Sequence, residues 1–165
     1  MTKSDFTETE LKLIDAATQM KLALESSGDL EIVRSCVNSY ISHARSVTFV
    51  MQKESSGIPE LEVWYKERQE ELKSSPLLRF FNDRRVYSIH QGVVSPIQHI
   101  AKIYDVKVDG VELPGEGTMT FLKFDGVEKF IPGSSGGVFN MCEEYFLILK
   151  ELVTQWRVER HKYAR

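Results

Sequence analysis

Apolar residues recur every three to four positions along most of this chain, and that rhythm restricts its fold more than any other feature. Between Asp29 and Ser55 the series Val33, Val37, Tyr40, Ala44, Val47 and Met51 marks one face of a long helix, flanked by Cys36, His43 and Val50. Asp29 is placed to cap it, and Ser55-Ser56-Gly57 with Pro59 breaks it, giving a helix over about 29–54. Upstream, Thr7 and Glu10 have capping-box spacing and open a helix over about 7–26. Its expected buried stripe is Leu11, Ile14, Thr18 and Leu22, with Leu13, Ala17, Met20 and Leu24 alongside. A charged helix follows over about 60–73. Pro76 suits the first turn of a fourth, over about 76–91, which Gly92 stops. Met141, Cys142, Tyr145, Leu149, Leu152 and Trp156 line a last helix over about 138–162.

Between the fourth and last helices the period changes. Tyr104, Val106 and Val108 alternate, Asp109-Gly110 reads as a turn, and Thr118 to Phe124 leads to a second turn at Asp125-Gly126. The expectation over about 100–132 is two hairpins, or a three- or four-stranded meander. The fold class is therefore mainly α: an up-and-down bundle of four to five helices with a small antiparallel β insert before the last helix, within one domain of 165 residues.

Composition removes several function classes. With 42% hydrophobic and 27% charged residues the chain is neither a disordered segment nor a fibre. A net charge of -3 offers no long-range attraction to nucleic acid, so any such binding needs a local basic patch. Cys36 and Cys142 read as buried thiols, and no pair of histidines and carboxylates has metal-site spacing; no metal or cofactor is implied. Met1 to Glu10 is polar, and no stretch approaches the ~20 apolar residues of a membrane span, so a cytoplasmic, membrane-free protein is expected.

The richest segment for chemistry is Leu77 to Gly92. Leu78, Phe81 and Ile89 share a helical face, and Arg85 falls between Phe81 and Ile89 on it. A desolvated guanidinium is costly without an acceptor, so Arg85 is either paired inside the fold or held for a ligand. Asp83, Tyr87 and His90 form a second stripe that can line a groove, and the helix dipole at His90 favours its protonated form. His43, in Ser42-His43-Ala44-Arg45, either hydrogen-bonds within the bundle or faces the same cleft. Asp83, Tyr87 and His43 are thus candidate ligand-binding residues. Trp64, Tyr65, Phe80, Phe81 and Tyr87 would permit a small-molecule or nucleotide site between helices, although such side chains also simply fill cores. Gly133-Ser134-Ser135-Gly136-Gly137 reads as a flexible connector with a serine cap, and Arg157, Arg160, His161, Lys162 and Arg165 as complements to the last helix's dipole.

Arg85-Val86-Tyr87-Ser88-Ile89-His90, or the same run begun at Arg84, resembles the signature of the HEPN superfamily: an arginine followed after four to six residues by a histidine, late in a helix of a small all-α bundle. Many members of that superfamily are metal-independent ribonucleases that act as dimers, often as toxins or defence effectors beside an antitoxin-like partner; others are non-catalytic. The resemblance implies a homodimer in which His90 moves a proton to or from the ribose 2′-hydroxyl or the leaving oxygen, while Arg84 or Arg85 stabilises charge on the phosphate of an RNA. Family members commonly carry a polar residue after the motif arginine; Arg84 is followed by Arg85, whereas Arg85 is followed by Val86. Residues five or six apart on a straight helix point to different sides, so either the helix unwinds at Ser88 or a dimer mate supplies one of the two groups. The alternative is a non-catalytic helical interaction or dimerisation module.

Overall fold

In a computed structural model, which describes residues 6–108 and 111–163, five helices enclose the core and one hairpin precedes the last of them. In chain order these are α1 (Glu8–Glu25), α2 (Leu30–Ser55), α3 (Pro59–Ser74), α4 (Pro76–His90), β1 (Ile97–Val108), β2 (Val111–Lys123), a 3-10 turn (Val127–Lys129) and α5 (Val138–Tyr163). Local chemistry accounts for the boundaries. The Thr7 side chain accepts from the Glu10 N–H while Glu10 accepts from the Thr7 N–H, closing the capping box of α1. Asp29 accepts from the N–H groups of Glu31 and Ile32, and Ser75 from that of Leu78, with Pro76 in the first turn.

The core lies among α2, α4 and α5. Val33, Val37, Tyr40, Ala44, Val47 and Met51 of α2 are fully or almost fully buried, as are Leu149 and Trp156 of α5. Phe81 stacks on Tyr145 with ring centroids 4.5 Å apart and planes 15° from parallel, and Phe80 packs against Phe124 and Phe130. Two of the largest buried side chains tie off their polar ends inside the core: Tyr40 Oη donates to the Cys142 carbonyl at 2.7 Å, and Trp156 Nε1 to Ser55 Oγ at 3.0 Å. Cys36 and Cys142 are buried, free thiols.

Two expectations need correction. On α1 the buried positions are Thr9, Glu10, Ala16 and Ala23, while Ile14, Leu22 and Leu24 are exposed. Helix α1 carries apolar residues around most of its circumference, and the face chosen is the one whose alanines let the neighbouring helices approach closely. The insert is one hairpin rather than two or a meander. Strands β1 and β2 pair antiparallel from Ile97 opposite Lys123 to Val108 opposite Val111, with a register shift between Tyr104 and Val106. The expected Asp109-Gly110 turn lies outside the described residues. At the second Asp-Gly, Gly126 adopts a left-handed conformation (φ 70°) and starts the 3-10 turn, so the chain turns back into the core through Val127 instead of beginning another strand.

The connection into α5 is anchored. The Phe124 N–H donates to the Gly136 carbonyl at 2.8 Å, and a Cβ on Gly136 would meet the Phe124 carbonyl oxygen and Val127 Cγ2 at 3.3 Å. Before β1, Asn38 of α2 donates to the Val94 carbonyl and accepts from the Val94 N–H, so the hairpin is docked at both ends. The basic C-terminal turn of α5 also makes cross-helix pairs, Arg157 with Glu10 at 3.1 Å and Arg160 with Glu54 at 3.7 Å, beyond complementing a dipole.

Candidate functional site

Helix α4 divides near its middle. Leu77, Phe80 and Phe81 are buried, whereas from Asn82 onward every residue is at least partly accessible. The helix continues unbroken through Ser88, whose hydroxyl donates to the Arg85 carbonyl at 3.2 Å, and ends at His90. On such a helix Arg85 and His90 project about 140° apart, and Arg84 and His90 about 120° apart. Within one protomer the three residues are therefore not directed at a common point. Ile89, expected on the buried face, is exposed because this end of α4 runs past the core.

Arg84 and Arg85 have different surroundings despite being adjacent. The Arg84 guanidinium donates to Asp83 at 2.6 Å and 3.2 Å and lies 5.6 Å from the Phe80 ring and 5.2 Å from the Tyr87 ring. Asp83 and Tyr87 are thus engaged with Arg84 on this surface. Arg85 has no carboxylate partner among the described residues, and its buried Nε donates to nothing. Its guanidinium stands 5.6 Å from the ring of Phe49, which is half exposed and also carries Arg45 at 4.5 Å. His90 is exposed at the helix end. His43 lies elsewhere, 3.5 Å from Asp15 of α1, where it links the first two helices.

Beside this face a cleft of about 630 Å³ opens between α2, α3, α4 and α5. Arg45, Arg79, Asp83, Leu72, Phe130 and Tyr145 are among the residues that line it; of the six candidate residues, only Asp83 does. Arg45 is fixed by neutral acceptors alone, Nε on Asn82 Oδ1 at 3.0 Å and a terminal nitrogen on Thr48 Oγ1 at 2.7 Å, so its charge is not cancelled there. Burial pushes the Tyr145 phenol up to about 12, with Arg45 and Arg85 pulling in the opposite direction. Tyr145 was legible in the sequence only as part of α5's apolar stripe. The available signal was its hydroxyl, which needs a partner that the stripe does not supply.

Comparison with known proteins adds a family. The family described as bacteriophage lambda protein ea47 matches residues 6–100, more than half of the chain. The chain belongs to the lambda ea47 family. Protein ea47 of Escherichia phage lambda is 30% identical over 77 residues, which cover 46% of this chain and 19% of that protein. No solved structure matches. The ea47-like stretch takes in α1 to α4 with Arg84, Arg85, His90 and His43, and stops before most of the hairpin and α5, which carries Tyr145. Among the described residues no helix is long and apolar enough to cross a membrane, and no group of three or more histidine, cysteine or acidic side chains is arranged to hold a metal ion.

Proposed function

We propose that this helical protein binds single-stranded RNA on the face shared by α2 and α4, in the manner of a HEPN-like bundle, with any cleavage completed between two protomers. The observation that carries the reading is Arg85, a guanidinium whose buried Nε has no acceptor. With no carboxylate paired to it, the guanidinium keeps its charge, and its terminal nitrogens, which are not enclosed as Nε is, are the donors that a phosphate oxygen can reach. The adjoining Phe49 ring, half exposed and approached by both Arg45 and Arg85, offers a stacking surface beside cations, which is the pairing that single strands use. Asp83 is the acid nearest in the chain to Arg85, and its charge is already taken by Arg84.

For cleavage, a second subunit has to bring His90 to the phosphate held by Arg85, since one unbroken helix directs them apart. The imidazole would then take the proton of the 2′-hydroxyl, whose oxygen bonds to the phosphorus as the bond to the 5′-oxygen breaks; the departing oxygen takes a proton from water, the imidazolium gives its proton back to solvent, and the arginine would stabilise the charge that builds on the phosphate. No metal enters this scheme.

A second reading, a non-catalytic interaction or RNA-binding module, is favoured by the closure of Arg84 on Asp83 and by the position of His90 away from the cleft. Incubating the full chain with a single-stranded RNA and a chelator separates the two. Nuclease function requires cleavage that His90→Ala abolishes while RNA binding survives. Binding without cleavage supports the module, and cleavage that persists in His90→Ala removes the proposed role of that imidazole.

A further inference from the structure

Among the described residues three tyrosines are deeply buried, and they are not treated alike. Tyr40 donates to the Cys142 carbonyl and Tyr65 to the Thr48 carbonyl, the latter at 2.8 Å. Tyr145, only 3% exposed, makes no hydrogen bond among the described residues, although it lines the cleft between α2, α3, α4 and α5. Its hydroxyl is not among the enclosed polar atoms that lack a partner, so it opens into the cleft, where water or a ligand can accept from it. With its phenol pushed up to about 12, Tyr145 stays protonated at neutral pH and is a donor to any oxygen acceptor in the cleft; the uncancelled charge of Arg45 is what favours an anionic one.

The rest of the cleft has a consistent chemistry. Arg45 reaches the lining on the same side, held in place by Asn82 and Thr48 and not neutralised by either. Arg45 and Tyr145 both line the cleft, and the charges of Arg45 and Arg85 oppose the upward push of burial on the Tyr145 phenol. Leu72, Leu78, Val86 and Phe130 supply apolar wall to the same cleft. A volume of about 630 Å³ lies within the range of small-molecule sites, roughly 300–1,000 Å³, and is far too small for a folded partner.

We propose that this cleft is a receptor for a small amphipathic oxyanion, its phosphate or carboxylate head accepting from the Tyr145 hydroxyl and the Arg45 guanidinium and its apolar body lying on Leu72, Leu78 and Phe130. The site shares Arg45 with the RNA reading, but Tyr145 and the apolar wall belong to the cleft alone, so Tyr145→Phe separates the two. Binding there would fix α3 relative to α4, since the wall residues come from both helices.

Phenyl phosphate titrated into the full chain by calorimetry, with inorganic phosphate alone as the comparison, tests the proposal. Phenyl phosphate should bind at least about tenfold more tightly than inorganic phosphate, because only the former uses the apolar wall. Tyr145→Phe and Arg45→Met should each weaken it by about tenfold. Val86→Trp, a change at an exposed helical position that places bulk in the mouth of the cleft, should abolish binding while the helical circular dichroism is retained. The proposal is overturned if phenyl phosphate binds no better than inorganic phosphate, if neither binds at about 10 mM, or if Val86→Trp and Tyr145→Phe both leave the affinity unchanged.

Discussion

The two halves of α4 both place aromatic rings beside arginines and serve different ends. In the first, Leu77, Phe80 and Phe81 are buried among Tyr145, Phe124 and Phe130, so the side chains are committed to packing. In the second, Arg84 and Arg85 carry their charges over the Phe80, Tyr87 and Phe49 rings, where water and ligands can reach them. The comparison teaches that aromatic residues hold this helix in place at one end and present its cations at the other. A substitution should accordingly be costly to stability in the first half and cheap in the second.

The largest expected effect is at Phe81. Phe81→Ala removes a fully buried ring that stacks on Tyr145 and should cost about 3–5 kcal/mol in denaturant unfolding. A cost below about 1 kcal/mol would break the comparison. Alkaline pH probes the same stack through Tyr145, whose folded pKa of about 12 lies above its ordinary value of 10.0. A group whose pKa is raised on folding contributes stability that is complete below the unfolded value and declines as pH rises towards the folded one. Stability should therefore fall between about pH 10 and pH 12, by roughly 2–3 kcal/mol from this residue alone, and Tyr145→Phe should make that fall shallower by this amount, the part due to Tyr40 and Tyr65, both raised by burial, remaining. Moving into the second half, Asp83→Asn should cost less than about 1 kcal/mol, since its ion pair with Arg84 is partly solvated. Arg85→Met should be the smallest, close to zero, because it removes a buried donor that nothing accepts. If Arg85→Met proved as damaging as Phe81→Ala, Arg85 would belong to the core.

How much of this was legible beforehand follows from the kind of signal involved. Helix limits were readable to within one or two residues because Thr7, Glu10, Asp29 and Pro76 act locally, through hydrogen bonds and φ angles that need no knowledge of the tertiary fold. The facing of α1 was not, because Leu11, Ile14, Thr18 and Leu22 repeat as well as Ala16 and Ala23 do, and only the closeness of the neighbouring helices selects the alanines. Asp125-Gly126 has the composition of a hairpin turn, yet the left-handed Gly126 leads into a 3-10 turn held by Val127 in the core. At the candidate site, the unmatched charge of Arg85 was readable from its place on an apolar seam. The capture of Arg84 by Asp83 was not, since adjacent residues on a helix give no periodic signal. Tyr145 and Arg45 were hidden more deeply, because a tyrosine in a core stripe reveals that its hydroxyl opens into a cleft only when the surrounding atoms are known.

The central claim is that Arg85 is kept unpaired in order to hold a phosphate. The most direct test is the affinity of the full chain for a labelled single-stranded RNA, measured by fluorescence anisotropy at fixed salt, for the unaltered protein and for Arg85→Met, with thermal unfolding followed on both. The account predicts an affinity about tenfold lower in Arg85→Met at an unchanged unfolding temperature. Equal affinities in the two proteins, or no RNA binding by the unaltered chain, would contradict it.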